Sequence, residues 1–224
     1  MDAVVLAGGQ GRRIRTVTRG PKCLLPIGGI PVMDLTVEWL LSWGRVDRVW
    51  VAAGYEGEQV RRHVAQRFQG GRVQVEVEPE PAGTGGALAR LRERLTDPVV
   101  VVNGDTLLVG DLDALQRQHL ASSAWVTVAA VASWRRDAEG LVAPTLPGPV
   151  RQVGRGLRGS HTAYSAGLYV VSLQALVGAP CPGSLEGLAA GLAAECRGRL
   201  WAYPWHSAVD VGTPSRYRAV NLGG

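Results

Sequence analysis

An α/β fold, with a mostly parallel sheet flanked by helices, is predicted by three observations. Short apolar runs of strand length alternate with stretches of helical periodicity, the first run passes straight into a glycine-rich loop, and two later runs also end in loops of glycine and polar residues. Hydrophobic residues make up 46% of the chain and charged residues 19%, which suits a globular protein and excludes disorder as its main state. A chain of this length buries roughly 70% of its unfolded surface, enough for one large domain. No apolar run approaches the ~20 residues of a membrane span. Met1 leads directly into a strand rather than a signal peptide, so a cytoplasmic location without a membrane partner is expected.

The first strand is Val4 to Ala7, a buried apolar run bounded by glycine. Gly8, Gly9 and Gly11 then let the backbone approach a ligand closely, while Arg12, Arg13, Arg15 and Arg19 crowd the same loop with cations. That combination suits a polyphosphate. Of the 24 basic residues only Lys22 is a lysine, and it closes this loop. An ammonium is a compact point charge that can sit on a single phosphate oxygen, where a guanidinium prefers a bidentate grip. Gly28 and Gly29 make a turn, and a core-facing helix runs from Pro31 to Gly44 with Val32, Leu35, Trp39 and Leu40 inward. Val46 to Gly54 reads as a strand, Tyr55 to Phe68 as a helix, and Arg72 to Glu78 as a strand with one polar face.

Glu80 to Ala87, EPAGTGGA, follows that strand and opens a helix to Leu95. Gly83, Gly85 and Gly86 again permit close approach, and Thr84 is placed to cap the helix. Val99 to Val102 is the most β-branched run and is expected at the centre of the sheet. It ends in Asn103-Gly104-Asp105, which delivers Asp105 to the crevice beyond the strand ends. Asp111 caps a helix to Leu120, and a strand resumes from Trp125 to Ser133. Leu141 to Ala143, Val150 to Val153 and Ala163 to Ser172 read as strands of a smaller mixed sheet. Leu185 to Cys196 is then a helix, Leu200 to Tyr203 a strand, and Pro214 to Val220 a closing helix after Asp210-Val211-Gly212-Thr213. Trp201, Tyr203 and Trp205 read as packing residues and His161 as a solvent-facing loop residue.

Cys23, Cys181 and Cys196 are widely spaced without a CxxC pair, so neither a zinc site nor a disulfide framework is indicated. The formal charge of +5 would suit nucleic acid as well as nucleotides, but the arginines are spread along the chain and show no basic–aromatic stripe. Small anionic molecules are the expected ligands, and no nucleic acid. Exposed apolar faces could pair two subunits as a homodimer, though the sequence locates no such face.

AGG-x-G-x-R with PK-x-L-x-P, then EPAGTGGA, NGD and DVGTP, in that order from Val4 to Asn221, is similar to the motif set of the sugar-1-phosphate nucleotidyltransferases. The resemblance implies a single domain over 1–224 with a Rossmann-like core. Its nucleotide-binding core would cover about 1–125 and 200–224, and its sugar-binding part about 126–199. It implies the reaction of a nucleoside triphosphate with a sugar 1-phosphate to give a nucleotide sugar and pyrophosphate, with Mg²⁺ held by Asp105 and Asp210. Leu6, Ala7, Gly8, Gly9 and Gly11 would border the nucleotide, with Arg13 and Lys22 as catalytic cations on its phosphates alongside Asp105. Glu80, Gly83, Thr84 and Gly85 would border the base and ribose, Glu80 accepting from a guanine edge. Gly104, Arg155, Ser165 and Gly167 would hold the sugar phosphate. The motif forms look most like the guanylyltransferases for D-glycero-D-manno-heptose 1-phosphate and mannose 1-phosphate, which favours GTP. A transferase of another nucleotide, or a silent nucleotide-sugar-binding subunit, is the alternative. This chain departs from the family pattern at Gly154-Arg155, where a Glu-Lys pair is usual, at Ser165 in place of asparagine, and in a first loop one residue shorter.

Overall fold

Every residue of the first apolar run is buried as β1 (Asp2–Ala7). Val4 and Leu6 enter one apolar cluster and Ala3, Val5 and Ala7 another, as a strand covered on both faces must. A computed structural model describes residues 1–80, 82–132, 139–178 and 183–222. Ser133, the expected end of one strand, and Cys181 lie outside them.

After β1 come two 3₁₀ turns, Arg12–Ile14 and Lys22–Leu24. A small hairpin of β2 (Pro26–Ile27) and β3 (Ile30–Pro31) then turns at Gly28 and Gly29, both at positive φ. The alternation follows as α1 (Val32–Ser42), β4 (Arg48–Ala53), α2 (Gly57–Arg67), β5 (Val73–Val77), α3 (Gly83–Leu91), β6 (Val99–Asn103), β7 (Thr106–Val109) and α4 (Leu112–Ala121). The later part is β8 (Val126–Val131), β9 (Glu139–Val142), β10 (Gly148–Pro149), β11 (Gln152–Arg155), β12 (Thr162–Val171), α5 (Ala175–Gly178), α6 (Leu185–Glu195), β13 (Leu200–Pro204), β14 (Ser207–Asp210) and α7 (Pro214–Leu222).

One sheet carries the order β10-β13-β8-β12-β6-β1-β4-β5, with β9 branching from β12 and β11 from β9. The stretch β6-β1-β4-β5 is wholly parallel, and β12 runs antiparallel between β6 and β8. The smaller mixed part therefore grows out of the main sheet rather than standing apart from it. Apolar residues of α1, α2 and α4 cover one face, and those of α3 and α6 the other. β6 is central, with Val99 to Val102 fully inaccessible. Because β1 has β4 on one side and β6 on the other, the chain reverses its direction of growth there, and a crevice opens beyond the carboxyl ends of those strands.

Two polar anchors fix this frame. The buried Asp2 carboxylate accepts from Arg48 at 3.1 Å and from the Thr96 amide at 2.9 Å, tying β1 to β4 and to the approach to β6. His119 of α4 lies buried between Thr127 and Ser172, each hydroxyl 3.0 Å from one ring nitrogen. Burial, opposed by the Asp97 carboxylate, pushes the His119 pKa down to about 4.

The folded state thus binds this proton less readily than the unfolded chain, whose histidines titrate near 6.5. The His119 contribution to stability is complete above about pH 6.5 and is lost progressively towards pH 4, by an amount on the order of 3 kcal/mol. Urea denaturation at pH 7 and pH 4.5 should show that loss. In His119→Gln the part of the pH dependence that falls in this window should disappear.

Candidate active site

The crevice holds a cleft of about 380 Å³. Its floor is set by glycines. Gly8 follows β1 directly, and a Cβ at Gly54 would stand only 2.8 Å from the Gly8 carbonyl oxygen, so the ends of β1 and β4 touch backbone to backbone. Gly11 has a φ of 58°, the left-handed region that favours glycine, and starts the 3₁₀ turn that carries Arg13 to the cleft wall. A Cβ at Gly9 would stand 3.2 Å from the Lys22 side chain, which crosses this gap to place Nζ 2.6 Å from Asp105 Oδ2.

Asp105 arrives from the other direction. β6 ends at Asn103, the Gly104 amide donates to the Leu6 carbonyl at 3.0 Å, and the Asp105 side chain is left nearly buried at the cleft. The ribbon of β7 and β14, which the sequence did not reveal, pairs Asp210 with Thr106, the residue next to Asp105. The Val211 amide donates to the Asp105 carbonyl at 2.9 Å, and the Gly212 amide donates to Asp210 Oδ1 at 2.8 Å. A Cβ at Gly212 would lie 2.9 Å from Asp210 Oδ1, 3.1 Å from Asp105 Oδ2 and 3.6 Å from an Arg13 guanidinium nitrogen. Two carboxylates and a guanidinium therefore converge on one point. Arg216 of α7 pairs with Asp210, as Lys22 does with Asp105.

No cluster of three or more His, Cys, Asp and Glu side chains capable of holding a metal ion occurs among the described residues. A two-carboxylate donor set is nevertheless what Mg²⁺ uses when it keeps several waters and takes its remaining ligands from substrate phosphates.

One wall of the cleft comes from the end of β5. The Glu78 amide donates to the Ala53 carbonyl at 2.8 Å, extending the pairing with β4 by a residue, and the Glu78 carboxylate faces the cleft beside Gly8. Burial raises its pKa. Glu80, the expected base contact, is exposed and off the wall. Thr84 does line the cleft but does not cap α3, whose N-cap is Ala82 without a side-chain bond. Its hydroxyl accepts from the Leu185 amide at 2.6 Å, tying this loop to the start of α6.

The opposite wall is formed by Arg155, Ser165, Gly167, Tyr169, Glu139 and Glu186. Gly167 has a φ of 74°, and a Cβ there would lie 2.6 Å from the Asn103 amide nitrogen, so glycine lets β12 close on the end of β6.

A family model described as nucleotidyl transferase matches residues 2–145. The chain belongs to the nucleotidyl transferase family. Among similar proteins, a D-glycero-alpha-D-manno-heptose 1-phosphate guanylyltransferase of Aneurinibacillus thermoaerophilus is 34% identical over 58% of this chain and 56% of its own length. The enzyme of that name from Campylobacter jejuni is 32% identical over 52% of each. A mannose-1-phosphate guanylyltransferase of Mycobacterium tuberculosis is 32% identical over 57% of this chain and 36% of its own. The matched stretch thus spans only about half of the first two relatives. The fold likeness extends much further: HddC from Yersinia pseudotuberculosis, solved as a complex with GMP-PN, superposes with a TM-score of 0.81 over 99% of this chain and 98% of its own at 24% identity. The inositol-1-phosphate CTP transferase from T. maritima gives 0.79 at 14% identity, over 99% of this chain and 94% of its own.

In this nucleotidyl transferase the cleft gathers Leu6, Gly8, Gly9, Arg13, Lys22 and Asp105 with Gly83, Thr84, Arg155, Ser165, Gly167 and Asp210. Five other expected contacts stand off the wall. Ala7 faces the opposite apolar cluster, Gly11 and Gly104 shape the turns behind it, Gly85 is buried in α3, and Glu80 is exposed. The cleft also takes in Glu78, Glu139, Tyr169 and Glu186, which the sequence reading did not name as contacts. Glu78 had a signal, since it is the first residue past the apolar run of β5 and so lies at a strand's carboxyl end. Cys23 is inert, because burial, aided by the Asp105 charge, pushes its thiol up to about 12 despite Lys22 next to it. The backbone contact at Gly54 makes it a sensitive position: Gly54→Ala should cost about 1–3 kcal/mol in urea denaturation, because backbone atoms must move apart to fit the methyl group.

Proposed function

We propose that this protein transfers a nucleotidyl group from a nucleoside triphosphate, with GTP favoured, to a sugar 1-phosphate of the manno-heptose or mannose type, releasing pyrophosphate. The observation that carries this reading is the convergence of Asp105, Asp210, Arg13 and Lys22 between one wall bearing Glu78 and another bearing sugar-suited hydroxyl and carboxyl groups. The relatives named as heptose and mannose 1-phosphate guanylyltransferases support the choice of substrates.

An oxygen of the sugar phosphate attacks the α-phosphorus in line. The new P–O bond forms as the bond from the α-phosphorus to the bridging oxygen breaks, and that oxygen leaves with pyrophosphate. The attacking oxygen is already anionic, so no protein nucleophile or base is needed, and the task is to align two anions and offset growing charge. Arg13 and the amides of the Gly8 to Gly11 loop steady the β- and γ-phosphates. Lys22 offsets charge on the α-phosphate or on the incoming phosphate. Asp105 and Asp210 are the residues that would hold Mg²⁺, which supplies charge neutralisation where the two anions meet. Glu78 accepts hydrogen bonds from the base edge, and a carboxylate can take both N–H groups that guanine offers.

Pyrophosphate release from GTP and D-glycero-α-D-manno-heptose 1-phosphate tests these roles. Lys22→Ala and Asp105→Asn should each lower kcat about 100- to 1,000-fold with the fold intact by circular dichroism. Near-normal turnover in either removes its role. Glu78→Gln leaves one acceptor where two are needed, and kcat/KM for GTP should fall by about 10- to 100-fold relative to the other triphosphates. Unchanged base preference contradicts the assignment.

A further inference from the structure

The cleft wall built by β9, β11, β12 and α6 carries more carboxyl groups than phosphate binding can use. β9 and β11 are antiparallel, with Arg155 directly opposite Glu139 and Gly154 opposite Gly140. Arg155 and Glu139 therefore share one face of this ladder, and both line the cleft. Glu186, in the first turn of α6, lines it as well, as does Tyr169. The Tyr169 hydroxyl is buried and lies 3.0 Å from the Ser165 hydroxyl. Neither Glu139 nor Glu186 has a side-chain hydrogen bond to a described residue, so both present unfilled hydrogen-bonding positions to the cleft.

Resting on the transferase reading above, we infer that Glu139 and Glu186 together bind ring hydroxyls of the sugar, and that they exclude sugars bearing a second anionic group. A carboxyl group that keeps its proton donates as well as accepts, and one that has lost it only accepts. A sugar hydroxyl both donates and accepts, so it can bond to either kind of group. The charged groups facing Glu139 agree. Its own burial comes first and the Glu186 charge second, both raising its pKa, while Arg155 across the ladder lowers it, leaving it at about 7. Tyr169, raised by burial and by both carboxyl groups, stays neutral and adds a hydroxyl. Arg155 sits beside this pair and fits a phosphate at the edge of the same surface. An added carboxylate or phosphate on the sugar would meet negative charge and find no further cation among the described residues of this wall.

Steady-state pyrophosphate release with GTP and mannose 1-phosphate tests the inference. Glu139→Ala should raise KM for mannose 1-phosphate about tenfold or more and leave KM for GTP unchanged. In the wild type, KM for mannose 1-phosphate should rise with pH above about 7, as Glu139 loses its proton and a further negative charge faces the substrate. Glu139→Gln, which keeps a donor and an acceptor, should bind the sugar nearly as well as wild type and lose that pH dependence. Mannuronic acid 1-phosphate should be a poor substrate for the wild type. An unchanged KM in Glu139→Ala, a pH dependence that survives in Glu139→Gln, or equal use of mannuronic acid 1-phosphate overturns the inference while the transferase reading stands. Absence of turnover in the wild type with every sugar 1-phosphate would sink both.

Discussion

Asp105 stands where three pieces of chain remote in sequence meet, and its nearly buried carboxylate is what makes their meeting mutual. A charge in that position needs a partner, and Lys22, the chain's one lysine, reaches across the glycine loop to provide it. The same carboxylate shares its surroundings with Asp210 and Arg13 around Gly212, so the ribbon of β7 and β14 is drawn to the end of β6. A Cβ at Gly212 would press on both carboxylates, and one at Gly54 on the backbone of Gly8, so neither position takes a larger residue without parting its neighbours. The loops are tight because opposite charges must touch inside them.

The sheet order then decides what each side of this charged point is for. β1, β4 and β5 run parallel on one side and end at the glycine loop and Glu78, which leaves a wall with amides and a single acceptor group. On the other side β12 reverses direction against β6, and its bulge between Ser165 and Tyr169 turns both hydroxyls to the same place. β9, β11 and α6 complete that wall with Glu139, Arg155 and Glu186. A backbone-lined, charge-poor wall faces a side-chain-rich, polar one across a common centre of carboxylates and cations. Thr84 links the two sides through its bond to the Leu185 amide, so the loop that opens α3 and the start of α6 share a contact.

Local signals made the first wall and the centre legible in the sequence, and long-range pairing hid the rest. The strand-to-glycine transition at Gly8, the lone Lys22, and the apolar run ending in Asn103-Gly104-Asp105 each announce themselves within a few residues. So do most elements, because buried parallel strands and amphipathic helices write their periods plainly. Glu80 was named from the likeness of EPAGTGGA to the family's base-bordering loop, whereas Glu78 reaches the cleft through a pairing with β4 that runs one residue past β5. Thr84 looked like a helix cap because the alternative partner, Leu185, is far along the chain. Glu139 and Glu186 gave no sign at all. One sits opposite Arg155 only through the register of β9 on β11, the other comes from a helix on the far side of β12 in sequence, and an isolated glutamate in either place reads as surface.

On the proposed reading, these two walls and their charged centre serve one transfer between two anionic substrates. That reading is tested most directly by measuring pyrophosphate release with Mg²⁺ over a grid of nucleoside triphosphates and sugar 1-phosphates, mannose and D-glycero-α-D-manno-heptose included. Release is expected only when both partners are present, strongest with GTP and a neutral manno-configured sugar 1-phosphate. Silence across the grid from a folded protein that still binds GTP or a nucleotide sugar would contradict it, and would leave a binder where a transferase is proposed.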